Sequence, residues 1–339
     1  MMNAAARLPT ESISDQRCDG QIDGVHFHDL HPARADMRSE VLAGLALQQK
    51  RIAPKFFYDA AGSRLFDAIC ELPEYYPTRT EIGILRQHGA SMARRLGRDA
   101  LLVELGSGSS LKIRVLLEAL RPAVYMPVDI SREHLLDSAH ALALTFPELQ
   151  VHAVCADYSV PFDLPVDLHD HPRAAFFPGS SVGNFEPVDA ERFLRRVGDM
   201  LGRGGRLLVG VDLVKDQAVL NAAYNDAAGT TAAFNLNLLR RINRELDGNF
   251  DLSAFRHDAF FNAELSRIEM HLISTRDQQV RVGGQAFGFR EGESIHTECS
   301  YKYHVEGFHA LARRAGFEPE QVWTDPDALF SVQCLVNRG

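Results

Sequence analysis

The stretch LLVELGSGSSLKIRVLLEAL, residues 101–120, limits what this chain can fold into more than any other. An apolar run breaks into a glycine-serine turn and resumes with the apolar spacing of a helix. Strand, glycine-rich turn and helix is how α/β proteins build a nucleotide pocket: small residues let backbone amides approach a ligand, and a helix start favours polar or anionic groups. From 100 to 215 the pattern continues as strand-like runs between helical periods: ALLVELG, AVYMPVDIS, VHAVCADY, AAFFPGSSVGN and GGRLLVGVDL. Such alternation predicts a parallel sheet with helices on both faces, a doubly wound α/β core.

Signals at either end frame this core. In TRTE, Thr78 is expected to cap a helix with Glu81 as its capping-box partner. VEGFHALARRAGF reads as a helix closed by Gly316, and EPEQVWTDP and LFSVQCLVN as two strands completing the sheet. Between 216 and 303 the rhythm breaks. TTAAFNLNLLRRINRELDGNF predicts a helix with threonine caps before it and Gly248 after it, followed by the strands LSRIEMHLIST and IHTECSYKY. The expected organisation is a flexible leader over 1–26, a substrate-binding α+β unit from 27–77 and 216–303, and a Rossmann-like unit from 78–215 and 304–339. The leader lacks the basic and apolar regions of a signal peptide.

The turn itself narrows the ligand. A dinucleotide fingerprint needs GxGxxG, whose third glycine permits tight helix packing, but Leu111 occupies that place, which disfavours an NAD oxidoreductase. Glu104 stands two residues before Gly106, and with Gly108 this gives E-x-G-x-G, typical of S-adenosylmethionine (SAM) pockets. The Glu104 carboxylate can meet the cationic amino group of the SAM methionine. Asp129 ends the next strand about 20 residues after Gly108, where a carboxylate grips ribose hydroxyls. Asp157 ends the third strand and can accept from the adenine amino group. Three acids at three successive strand ends favour a class I SAM-dependent methyltransferase fold carrying a second α+β substrate-binding domain.

Charge and composition exclude other classes. A formal net charge of -9 argues against a nucleic-acid partner, and no apolar stretch is long enough to span a bilayer. The five cysteines are odd in number and form no CxxC pair, and the 14 histidines form no HxxxH or HExxH. Neither a disulfide framework nor a metal site is indicated, and the histidines of DLHDHP read as a solvated loop. The expectation is a cytoplasmic monomer acting on a small molecule, without metal.

Three further stretches, KFFYDAAGSRLFDAICELPEYYPTRTE, FFPGSSVGNFEP, and SRIEMHL with IHTECSYKY, together with the ELGSGSS turn, resemble the SAM-dependent L-histidine Nα-methyltransferases of ergothioneine biosynthesis. The likeness runs from about residue 40 to the C-terminus. It implies a two-domain, metal-free enzyme that adds three methyl groups to the α-amino nitrogen of histidine, giving histidine betaine (hercynine). By this resemblance Asn184 and Tyr224 hold the α-amino and carboxylate end of the substrate, Tyr58 and Tyr75 complete the pocket, and Glu298 and Ser300 read the imidazole. Tyr58 or Tyr224 would relay a proton. Met270 matches a further pocket position, though strand alternation also groups it with the core residues Ile268 and Leu272. The same alternation puts Glu298, Ser300 and Lys302 on one face, with Glu298 and Ser300 roughly 7 Å apart. Two other readings compete: a methyltransferase for another amino acid or aromatic amine such as tryptophan, and a non-catalytic sensor of SAM or a metabolite.

Overall fold

The structure, a computed structural model, describes residues 20–22, 24–30, 34–108, 111–164 and 171–339. The first 19 residues of the expected leader and His169 of the histidine-rich loop lie outside them. In chain order come β1 (Gly20–Ile22), β2 (Val25–Asp29), α1 (Arg34–Leu45), β3 (Lys50–Arg51), α2 (Ala60–Glu71), α3 (Tyr76–Leu96), β4 (Leu101–Leu105), α4 (Leu111–Leu120), β5 (Val124–Asp129), α5 (Arg132–Thr145), β6 (Gln150–Cys155) and β7 (Arg173–Phe177). They are followed by α6 (Pro187–Leu201), β8 (Arg206–Asp212), α7 (Gln217–Tyr224), α8 (Thr230–Glu245), β9 (Phe255–Asn262), β10 (Arg267–Ser274), β11 (Gln278–Val282), β12 (Gln285–Phe289), β13 (Ser294–Tyr301), α9 (Val305–Arg314), β14 (Phe317–Thr324) and β15 (Phe330–Asn337).

Nine strands form one sheet in the order β1-β2-β6-β5-β4-β7-β8-β15-β14. From β2 to β8 neighbouring strands are parallel, while β15 runs antiparallel to β8 and to β14. All five residues of β4 are buried, as expected of a strand covered on both faces. One face packs Leu85 and Met92 of α3, Leu116 of α4 and Leu135 of α5; the other packs Phe193 of α6 and Phe308 of α9. The chain winds from β4 outward to β6, then crosses to the other side of β4 to make β7. The gap beyond the carboxyl ends of β4 and β7 is therefore the topological switch point, where open α/β sheets bind ligands.

A second sheet, β3-β13-β10-β9, is backed by α8, whose Phe234 and Leu238 pack with Ile268 of β10 and with Phe57 of the 3-10 turn Pro54–Phe57. The β11–β12 hairpin is inserted between β10 and β13, which pair directly. Met270 lies opposite Glu298 in that pairing and Ile268 opposite Ser300.

Several local expectations differ from what forms. Residues 20–22 and 25–29, read as leader and as the start of the accessory unit, are strands of the main sheet, β1 at its edge and β2 between β1 and β6, parallel to the latter. Thr78 is not a cap: α3 begins at Tyr76, because Pro77 suits a first helical turn and moves the start ahead of the threonine. Glu81 is consequently inside the helix and fully buried. Before α8 the threonines do not cap either; the Asp226 carboxylate accepts from the amides of Thr230 and Thr231, both at 2.8 Å.

Candidate active site

The glycine turn after β4 is shaped by conformation more than by free amides. Gly106 and Gly108 have φ of 72° and 41°, a region that side chains disfavour. Their amides are already used, Gly106 N–H on the Val128 carbonyl at 2.8 Å and Gly108 N–H on Asp129 Oδ2 at 3.1 Å. The glycines let the strand turn sharply and leave room, and a Cβ on Gly106 would press on the Tyr158 ring at 3.3 Å.

Above this turn lies a cavity of about 360 Å³, walled by Glu104, Gly106, Gly108, Asp129 and Asp157, the whole of the predicted cofactor set. Glu104 accepts a hydrogen bond from the Tyr125 hydroxyl, and burial pushes its carboxyl up to about 8, a rise that Tyr125 and Lys112 only partly offset. Asp129 is also raised by burial, though Oδ1 accepts from Ser131 N–H at 2.8 Å and Oδ2 from Gly108. Burial pushes Asp157 the same way, but hydrogen bonds from Ser159 and Lys55 outweigh it and leave the carboxyl below its ordinary value. The Ser107 hydroxyl is buried without a hydrogen-bond partner among the described residues.

Sequence reasoning missed two cations of this cavity, Lys112 and Lys55. Lys112, in the first turn of α4, pairs at 2.8 Å with Glu81, which also accepts from the Gly179 amide at 2.9 Å. By its spacing from Thr78, Glu81 reads as a capping-box partner, and no local pattern shows that α3 delivers it to the sheet's switch point. The accessory unit closes the cavity from above: Lys55 reaches Asp157 at 2.9 Å, His134 approaches Asp67 at 3.4 Å, and the Ser63 and Ser131 hydroxyls meet at 3.3 Å.

A smaller recess of about 50 Å³ adjoins it, lined by Tyr58, Tyr75, Asn184, Tyr224, Met270, Glu298 and Ser300, all seven residues expected at the substrate. Tyr58, Tyr75 and Asn184 also line the larger cavity, so the two share a wall. Asn184 ends a 3-10 turn, Ser181–Asn184, that follows β7. Ahead of that turn, Ser180 is held at φ 59°, and its hydroxyl accepts from the Asp212 amide at 2.9 Å. A strained serine next to a cavity residue is a common mark of a functional loop. Gly183 packs so closely on β13 that a Cβ there would sit 2.7 Å from the Tyr301 carbonyl oxygen. Arg267 of β10 and the Tyr301 hydroxyl hold Glu186, just past the turn, at 2.8 and 2.5 Å. The strand carrying Glu298 and Ser300 is thereby fixed to the loop carrying Asn184.

Glu298 is pushed up to about 7 by burial, partly offset by Lys302. Tyr58, Tyr75 and Tyr224 are all raised by burial and stay protonated. The Tyr224 hydroxyl donates to Ser300 Oγ at 3.0 Å and accepts from Lys302 at 3.2 Å. Phe66 and Phe234, which the motifs did not single out, surround Tyr58 edge-on, with ring centroids 5.7 and 5.8 Å from it. Met270 both lines the recess and is 2% exposed within the accessory core.

Among the described residues one group brings three possible metal ligands together, Glu269, His271 and His296, within 4.8 Å. Arg267 already neutralises Glu269 at 2.8 Å, and both His271 nitrogens are engaged, by Glu269 and Ser294, each at 3.1 Å. No helix among the described residues is long and apolar enough to cross a membrane.

Comparison with known proteins places the chain. The histidine N-alpha-methyltransferase of Mycolicibacterium smegmatis is 43% identical over 306 residues, covering 88% of this chain and 94% of that protein. The Mycobacterium tuberculosis protein of the same name is 41% identical over 299 residues, covering 85% and 91%. More distantly, the 4-dimethylallyltryptophan N-methyltransferase of Aspergillus fumigatus is 27% identical over 307 residues, covering 85% and 90%. A family model described as histidine-specific, SAM-dependent methyltransferase matches residues 37–337. With a match over that length and relatives this similar across most of both chains, the protein belongs to the histidine-specific, SAM-dependent methyltransferase family.

Proposed function

We propose that the chain methylates the α-amino nitrogen of L-histidine three times, giving histidine betaine for ergothioneine biosynthesis, as a cytoplasmic monomer that needs no metal. The observation that carries this reading is the shared wall: the recess holding Glu298 and Ser300 meets the cofactor cavity at Tyr58, Tyr75 and Asn184. An amino acid whose ring lies against Glu298 can then extend its amine toward the methyl donor beside Asn184.

SAM supplies a methyl group on a sulfonium, open to in-line attack by an amine lone pair. The chain's own residues align and sort charge. Glu104 takes the cationic amino group of the cofactor's methionine end, and Lys112, on the same cavity wall, suits its carboxylate. Asp129 and Asp157 keep free lone pairs for the ribose and the adenine amino group. Asn184 offers both a donor and an acceptor to the amine at each stage. Tyr58 and Tyr224, held protonated by burial, can pass a proton only by accepting and donating together; neither is a base. Tyr58, Phe66, Tyr75 and Phe234 form an aromatic wall suited to growing cationic bulk, since ring faces stabilise methylated ammonium groups.

Incubation with SAM and each amino acid, followed by mass spectrometry, tests the reading. Products of one, two and three methyl additions to histidine alone are expected. Methylation of tryptophan or another amino acid in preference to histidine would overturn the substrate, and absence of turnover with intact SAM binding would point to a sensor. The buried carboxylate of Glu298 argues against a purely apolar ring, which would leave it without a partner.

A further inference from the structure

Lys302 follows β13 directly and is 3% exposed, but it does not line the recess. Its ammonium carries three N–H groups and meets three acceptors: Asp212 Oδ2 at 2.8 Å, Ser300 Oγ at 2.8 Å and Tyr224 Oη at 3.2 Å. A lysine ammonium has no lone pair, so each of these bonds runs outward from the nitrogen. Burial alone would favour losing the proton, but Asp212, followed by Tyr224, holds the group charged. Asp212 in turn is kept ionised against burial by Lys302 and by Lys215, the latter at 2.5 Å.

This has a consequence for the two hydroxyls. Ser300 Oγ and Tyr224 Oη are 3.0 Å apart and share one hydrogen bond, which uses one of their two protons. Each oxygen also accepts from Lys302. With Tyr224 donating, Ser300 Oγ accepts twice, and no acceptor among the described residues faces its own proton. The recess that Ser300 lines is the direction left.

We propose that Lys302 is a positioning residue that turns Ser300 into a hydrogen-bond donor toward the recess, so that Glu298 as acceptor and Ser300 as donor select the neutral imidazole ring over the imidazolium. The proposal rests on reading Glu298 and Ser300 as the ring contacts. A neutral imidazole presents one N–H and one lone pair, matching that pair of groups. An imidazolium presents two N–H groups, and the second would meet the Ser300 proton, with the buried Lys302 charge behind it.

The test compares L-histidine with L-1,2,4-triazolylalanine, whose ring stays neutral over the range used. Binding of each is measured by calorimetry in the presence of S-adenosylhomocysteine at about pH 8 and about pH 5, either side of the ordinary histidine value near 6.5. From the recess walls the ring faces Glu298 of β13, Tyr224 of α7, and Tyr58 and Tyr75 flanking α2. Behind them stand Lys302, Asp212 and Lys215. The α-amine and the more distant groups are common to both ligands and cancel in the ratio of affinities; Glu298, pushed up to about 7, gains a proton across this range beside either ring, and the same comparison in Glu298→Gln removes that contribution.

For the unaltered protein, histidine is expected to lose about 30-fold relative to triazolylalanine between the two pH values, the factor by which the neutral ring becomes scarce. Ser300→Ala and Lys302→Met are expected to shrink that change. Should Lys302→Met not fold, combining it with Asp212→Asn and Lys215→Met removes the whole buried charge cluster and serves the same comparison. A ratio that does not fall in the unaltered protein overturns the proposal, and a fall that persists unchanged in the Lys302 variant removes Lys302 from it. Failure of histidine to bind the unaltered protein at pH 8 would instead sink the reading of the substrate itself, and failure of triazolylalanine alone would overturn the pairing of acceptor and donor.

Discussion

Replacing Glu298 with glutamine keeps the shape of the side chain and removes its charge, which makes it a probe of both stability and binding. Glu298 titrates near 4.5 when solvated and is pushed up to about 7 in the fold by burial, partly offset by Lys302. That difference corresponds to about 3 kcal/mol, an upper bound because the recess is open to water. The sign follows from proton binding: with its folded value raised, Glu298 contributes stability that is fully present below about pH 4.5 and is lost as pH rises through about 7. The unaltered protein should therefore lose up to about 3 kcal/mol relative to Glu298→Gln between pH 5 and pH 8, measured by urea unfolding without ligands. All other titrations are shared and cancel in the difference. At pH 8 the same variant should bind L-histidine about 10-fold to 100-fold more weakly, through loss of a charge-assisted hydrogen bond of about 1.5–3 kcal/mol, with little change in SAM binding. Parallel stability curves would refute the desolvation of Glu298. An unchanged histidine affinity would remove it from the ring.

Three other consequences are open to measurement. Because Glu104 is raised to about 8 by burial, pairing it with the cofactor's ammonium should expel a proton; SAM affinity should rise between about pH 6 and pH 8, and calorimetry in buffers of different ionisation enthalpy should register the release. Gly183→Ala places a Cβ 2.7 Å from the Tyr301 carbonyl oxygen, so about 1–3 kcal/mol of stability and most of the histidine turnover should be lost, read by urea unfolding and by initial rates. Asp212→Asn leaves Lys215 and Lys302 buried without their carboxylate and should cost about 3–5 kcal/mol in the same unfolding assay, far more than a surface ion-pair variant such as Asp189→Asn.

The central sheet was legible because its evidence is local. The parallel strands β4 to β8 are short apolar runs, and Glu104, Asp129 and Asp157 gather on one cavity because parallel strands end on the same edge. The alternation in HTECSYKY likewise placed Glu298 and Ser300 together on one side of β13. What escaped were partnerships between distant parts of the chain. Glu81 reads as a cap because Thr78 precedes it at capping-box spacing, yet its role is set by Lys112 across the helix interface. Lys302 was visible on the Glu298 face, but its meaning depends on Asp212 at the end of β8, 90 residues earlier. Strands β1 and β2 escaped because a five-residue strand such as VHFHD, with three polar residues, carries little apolar signal.

The most direct test of the account is a crystal structure with S-adenosylhomocysteine and L-histidine bound together. The account predicts the thioether sulfur beside Asn184, the α-amino nitrogen directed at it, and the imidazole between Glu298 and Ser300. An imidazole lodged in the larger cavity among Glu104, Asp129 and Asp157, with Glu298 untouched, would contradict it.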